Sequence, residues 1–152
     1  MDAGKRDLVE ITMEALDVAA ISASVTHPST GATSIFVGTT RDNFANKEVV
    51  RLEYEAYEGM ARKQLASVCK ELRARWPEIH SIAVHHRLGL VEVTQASVVI
   101  AVSSPHRKDA IQVSPVLPPP PPGRGAVHRA PEGHRPHLEE GGVLGRGWGV
   151  EG

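Results

Sequence analysis

The chain has one cysteine, two residues each of Trp, Tyr and Phe, and a formal net charge of −1. Each scarcity excludes something. Cys69 has no second thiol with which to form an internal disulfide, which suits a reducing compartment. No apolar run approaches the roughly 20 residues of a membrane-spanning helix. Residues 1–10 are charged and contain no apolar stretch of the kind a secretory signal needs. These features together predict a cytosolic protein. Balanced charge, with 17 Lys+Arg against 18 Asp+Glu, argues against a surface built for nucleic acid. A local basic pocket is still compatible with that balance.

What is present is 152 residues with 41% hydrophobic content, enough for one domain with its own core. Composition changes sharply near Gln112. Residues 1–112 hold three Pro and five Gly, whereas residues 113–152 hold eight Pro and nine Gly. The second segment has no Lys, Ile, Thr, Phe or Tyr. Its run from Pro118 to Pro122 favours polyproline II, and it has too little apolar surface to offset the entropy of ordering. The expected organisation is one domain over 8–112 and a disordered Pro/Gly-rich tail over 113–152.

Within the domain, Leu8–Thr12 alternates weakly, as an edge strand does. Asp17 is placed to cap a helix over Val18–Val25. The run His27-Pro28-Ser29-Thr30-Gly31 has loop composition. Ala32–Val37 is β-rich and apolar, which predicts a buried strand leading into a polar loop from Gly38 to Asn43. Val49–Tyr57 alternates as a half-exposed strand. Glu58–Arg75 has helical periodicity, with Met60, Leu65, Val68, Cys69, Leu72 and Trp76 on one stripe and Pro77 as the stop. Ile79–Leu90 and Ala96–Ser103 form two further strands around a turn at Glu92–Gln95. Locally paired strands with one long helix across them predict an α+β fold, an antiparallel sheet packed with that helix.

Arg41 follows one apolar strand, and His106-Arg107 follows another. Rigid strand ends are common places for sites. Guanidinium groups hold phosphate or carboxylate through paired hydrogen bonds, so a convergence of these residues suits an anionic ligand. Equally, each fits an ordinary solvated loop. His85 and His86 are adjacent on a strand, point to opposite faces, and therefore cannot chelate one ion. His128, His134 and His137 lack the neighbouring ligands of a metal site. Cys69 lies on the apolar helical stripe, where a thiol packs as core.

Five motifs occur in one order: Ser34-Ile-Phe-Val-Gly-Thr-Thr-Arg-Asp-Asn43, Leu52-Glu-Tyr-Glu-Ala-Tyr57 with Gly59-Met60, Trp76-Pro77, Val84-His-His-Arg-Leu-Gly89, and Val102-Ser-Ser-Pro-His-Arg107. From about Ile11 to Gln112 the chain resembles the catalytic large subunit of molybdopterin synthase. The resemblance implies a sulfurtransferase of molybdenum cofactor biosynthesis that works without a cofactor or metal. It would convert cyclic pyranopterin monophosphate to the molybdopterin dithiolene, with sulfur from the thiocarboxylated C-terminus of a ubiquitin-like small subunit. It also implies a homodimer of large subunits, each with one small subunit. The same resemblance assigns Thr39, Thr40, Arg41, His106 and Arg107 to substrate binding and Phe36 to the pocket for the partner's tail. No membrane or nucleic-acid partner is implied.

After Gln112 the family pattern stops. The positions of the family's two important lysines fall on Pro122 and Arg129, and no lysine follows Lys108. The family's closing helix and strands have no counterpart either. The tail admits a reading at the codon level. Gln112-Val113-Ser114 can be encoded CAG-GTG-AGT, the form of a splice donor, and Pro118–Gly123 can hold a pyrimidine tract and acceptor. With that insert removed, the frame shifts by one base, and Arg135–Gly142 can encode Val-Pro-Ile-Trp-Lys-Lys-Glu, which is family-like. A codon restricted to Lys or Arg then returns at the first family spacing, and one that permits Lys at the second. Residues 113–152 are therefore expected to be a translated intron, or an error of gene structure, followed by an out-of-frame reading; the alternative is a genuine Pro-rich linker or SH3-type ligand.

Overall fold

The computed structural model describes residues 4–44, 47–54, 58–114 and 126–128, with backbone alone for 43–44, 47–54 and 126–128. Its elements are β1 (Arg6–Thr12), α1 (Val18–Val25), β2 (Ala32–Thr39), β3 (Asn43–Phe44), β4 (Lys47–Tyr54), α2 (Glu58–Arg75), β5 (Ser81–Arg87), β6 (Gly89–Glu92), β7 (Ala96–Ser104), α3 (Arg107–Val113) and β8 (Ala126–His128). This is the α+β class expected from the pattern.

Four strands form the main sheet in the order β1-β5-β7-β2, and a smaller sheet runs β3-β4-β6 with β8 also paired to β4. One pairing departs from the antiparallel expectation: β1 runs parallel to β5, Arg6 opposite Ser81 through Thr12 opposite Arg87. Direction depends on how the long intervening chain returns to the sheet, and local alternation carries no information about that. The single strand expected over Ile79–Leu90 is divided. Leu88 donates its N–H to Thr12 O at 2.7 Å, Gly89 turns the chain at φ +78°, and β6 joins the second sheet.

Both faces of the main sheet are covered. On one, Leu65, Cys69 and Leu72 of α2 and Val113 of α3 pack with Ile82, Val84, Val98, Ile100 and Val102. On the other, Ile21 and Val25 of α1 pack with Ala83, Val99 and Ala101. That explains the unbroken apolar run of β7, since a central strand buried on both faces needs no polar alternation. Truncating a core leucine such as Leu65 to alanine costs about 2–5 kcal/mol at sites of this kind.

Helix ends follow their sequence signals. The Asp17 carboxylate accepts from Ala20 N at 3.0 Å, a cap that contributes about 1 kcal/mol. Arg73 ties α2 to the starts of β1 and β5, donating to the carbonyls of Arg6, Ile79 and His80 and pairing with Asp7 at 2.7 Å. Trp76 Nε1 donates to Gln112 Oε1 at 3.3 Å and links the end of α2 to α3. One stripe member is displaced: Met60 is 59% exposed, and Ala61 takes the buried position. Beyond Gln112, α3 continues to Val113, Ser114 is buried, and Ala126–His128 form β8. Those short pieces fall inside the segment expected to be without order; the rest of it lies outside the described residues.

Candidate functional site

Apart from Phe36, the residues proposed from sequence lie at two opposite ends of the main sheet. Strand β2 runs antiparallel to β7, so that Ala32 faces Ser104 and Thr39 faces Ala96. Thr39-Thr40-Arg41 therefore leaves the sheet at one end and His106-Arg107 at the other. The seven steps between Ala32 and Thr39 separate the ends by roughly 24 Å. The expected convergence of Arg41 with His106-Arg107 does not occur within one chain. Adjacency to a strand end was legible; which end was not, because that follows from strand direction.

At the first end Thr40 is buried, while Thr39, Arg41 and Asp42 are exposed. Thr40 N donates to Gln95 O at 3.1 Å, and Thr94 N donates to Thr40 O at 2.7 Å. Thr94 has φ +75°, a strained value for a β-branched residue. Between Gly38 and Thr39 the register slips, from Gly38 opposite Val98 to Thr39 opposite Ala96. Ser97 is thus the extra residue of a β-bulge. Two side chains from β5 reach this bulge. His86 Nδ1 lies 2.9 Å from Ser97 O, so the ring donates there, and Arg87 Nη1 donates to Gln95 Oε1 at 3.1 Å. Burial holds the His86 imidazole below its usual pKa, with the Ser97 bond opposing that effect. Among the described residues, Thr40 Oγ1 and Arg87 Nε are buried without a hydrogen-bond partner.

At the second end Ser103 and Ser104 are fully buried, while His106, Arg107 and Lys108 are exposed. His106 stands at the cap position of α3 with extended backbone and makes no capping bond through its side chain. Gly31 meets this end closely: its N–H donates to Ser104 O at 3.1 Å, and an added Cβ would lie 2.7 Å from Pro105 O. Nearby, the rings of His27 and His80 stack at 4.2 Å.

Phe36 lies midway along β2, opposite Ile100. Ile35, Phe36 and Val37 are 40%, 41% and 38% exposed, which corrects the expectation of a buried strand. Consecutive strand residues point to opposite faces, so three exposed in a row means that neither face is covered here. Strand β2 is at the edge of its sheet, and its outer side is unpaired among the described residues. Gly38 has a packing reason: a Cβ there would lie 2.6 Å from Val98 Cγ1 and 3.5 Å from the Phe36 ring.

Cys69 is wholly buried, and burial, reinforced by Asp7, pushes its thiol up to about 12, which leaves it inert as a nucleophile. No cluster of three or more metal-ligating side chains occurs among the described residues. Nor is any described helix long and apolar enough to cross a membrane. Sequence reasoning treated His86 as structural and did not single out Arg87, Thr94 or Gln95; the one signal bearing on the first two was the motif Val84–Gly89.

The protein is thus of the α+β class, with exposed basic residues at its strand ends. Comparison makes the class specific. Residues 11–117 match the family model described as MoaE protein. The chain is 60% identical over 104 residues to molybdopterin synthase catalytic subunit 1 of Aedes aegypti, covering 68% of this chain and 67% of that one. It is 49% identical over 107 residues to the molybdopterin synthase catalytic subunit of Taeniopygia guttata, covering 70% and 69%. Its fold is similar to the crystal structure of molybdopterin synthase from Staphylococcus aureus, with TM-score 0.66 and 35% identity over 70% of this chain and 77% of that one. It is also similar to the molybdopterin biosynthesis MoaE protein of Burkholderia ambifaria, with TM-score 0.61 and 34% identity over 71% of each. The chain belongs to the MoaE family, and its role lies in molybdenum cofactor biosynthesis. It spans about two thirds of the length of these curated relatives.

Proposed function

We propose that this chain is the large subunit of a cytosolic molybdopterin synthase. It holds cyclic pyranopterin monophosphate while sulfur passes to it from the thiocarboxylate of a ubiquitin-like small subunit. Arg41, His106 and Arg107 bind the anionic substrate, with Thr39 and Thr40 beside Arg41, and Phe36 borders the entry of the partner's tail. Fixed cations favour such a reaction because negative charge develops during transfer.

The carrying observation is the placement of Arg41 and His106-Arg107 at opposite ends of one exposed edge strand. A two-fold pairing of β2 with β2 of a second copy runs antiparallel. It brings the Arg41 end of each copy beside the Ala32 end of the other, where Gly31 touches Ser104 and Pro105. The substrate site is then built from two large subunits, which with two small subunits form a heterotetramer. A two-fold interface is self-complementary, as this arrangement requires.

A second reading, binding without catalysis, is favoured by one feature: Pro122 and Arg129 stand where the resemblance places lysines, and no lysine follows Lys108. One experiment separates the two. The full chain is mixed with thiocarboxylated small subunit and cyclic pyranopterin monophosphate, and both dithiolene formation and complex formation are measured. Dithiolene product supports the synthase reading. Complex without product supports the binding reading. Soluble chain that gives neither overturns both.

A further inference from the structure

Arg41 is presented by a loop, yet the loop is anchored by two adjacent side chains of a different strand. The bulge at Ser97 breaks the regular β2–β7 ladder immediately before Thr39-Thr40-Arg41. A bulge leaves a carbonyl without its ladder partner and re-aims the chain that follows it. Here the Ser97 carbonyl receives the Nδ1–H of His86, at 2.9 Å. Ser97 Oγ donates to Gly38 O at 3.3 Å, tying the bulge back to β2. Two residues before Ser97, Gln95 accepts twice: its carbonyl from Thr40 N at 3.1 Å, and its side chain from Arg87 at 3.1 Å. Thr94, held at φ +75°, completes the clamp by donating to Thr40 O at 2.7 Å. A β-branched residue adopts that backbone only where its surroundings enforce it.

We propose that His86 is a positioning residue for Arg41: its Nδ1–H fixes the bulged Ser97 carbonyl, with Arg87 supporting the same loop through Gln95. The assignment rests on the reading of Arg41 as a substrate-binding residue, but the mechanical link does not. His86 is 2% exposed and alternates along β5 with Val84 and Ile82, and its bond to Ser97 links it to Arg41 through the clamp. The bond needs a hydrogen on Nδ1. Asparagine carries an N–H near the same place, and leucine fills the volume without it.

The test compares the full chain with His86→Asn, His86→Leu and the surface variant Gln95→Ala. Two readouts are taken: backbone amide exchange, and the affinity for cyclic pyranopterin monophosphate. The expected result for His86→Leu is exchange about tenfold or more faster at the amides of Thr40 and Thr94, with the β5–β7 amides near Val84 unchanged. Its substrate affinity should fall about tenfold. His86→Asn should restore both, and Gln95→Ala should loosen Thr40 and Thr94 without lowering the melting temperature. Wild-type exchange in His86→Leu overturns the proposal. So does a loss of protection spread evenly over the sheet, or failure of asparagine to rescue. If the wild-type chain itself does not bind the substrate, the proposed function fails, while the exchange pattern still decides whether His86 holds the loop.

Discussion

His80 stands where its protonation works against the fold. Its ring is buried at the start of β5, stacked on His27, with Nδ1 at 2.9 Å from Ser81 Oγ. Burial holds its pKa below the ordinary value, and the charges of His27, Lys5, Arg73 and Arg6 push the same way. His85 and His86 are lowered too, chiefly by burial. A histidine with a lowered folded-state pKa binds its proton more tightly in the unfolded chain. Its stabilising contribution is therefore complete above about pH 6.5 and is lost as pH falls through the lower folded-state value. The melting temperature should fall between pH 7 and pH 5, above the range where most carboxylates titrate. His80→Asn should reduce that slope but not abolish it, since His85 and His86 remain. A flat wild-type profile over this window would contradict the argument. At this scale sequence was informative where a residue acts locally: Asp17 caps its helix, and Cys69 packs as core. It was uninformative about His86, whose partner Ser97 is set by the β5–β7 register and by a bulge.

Strand β2 is the element whose position matters most. Its sequence, Ala32–Thr39, has the composition of a buried strand but forms an edge, with Ile35, Phe36 and Val37 exposed. Hydrophobic pattern reports what a strand needs covered, not which chain covers it. Exposed apolar edges invite pairing with another strand. If the occupant is β2 of a second copy paired about Phe36, Ile35 of one chain lies opposite Val37 of the other. Lysine at both positions would then set like charges facing each other across the two-fold, which disfavours pairing. The double variant Ile35→Lys, Val37→Lys should sediment as a monomer where the wild-type chain sediments as a dimer. Its melting temperature at matched low concentration should change little, because both positions are already exposed. Unchanged dimer in the double variant would place the interface elsewhere. By contrast, the bounds of α2 were legible, Glu58 to Arg75, because its periodicity and its stop at Pro77 are local.

At the scale of the whole molecule, the motifs imply a common ligand site but not how many chains would build it. Arg41 and Arg107 are separated by the length of an antiparallel strand, so one chain cannot close both around one phosphate. Two chains can, and the two arrangements predict different results from mixing inactive variants. Arg41→Ala and Arg107→Ala should each abolish tight binding of cyclic pyranopterin monophosphate on its own. In a composite site, a mixed dimer of the two variants has one site lacking both arginines and one site with both intact. Random reassortment makes about half the dimers mixed, so about a quarter of all sites should bind as in the wild type. Equilibrium dialysis on the mixture, after unfolding and refolding the variants together, gives that stoichiometry directly. It requires only binding, and so gives the same answer whether or not the chain completes sulfur transfer. Refolding each variant alone supplies the control. A mixture that binds no better than its components would mean that each site belongs to one chain, and that Arg41 and Arg107 do not share a ligand.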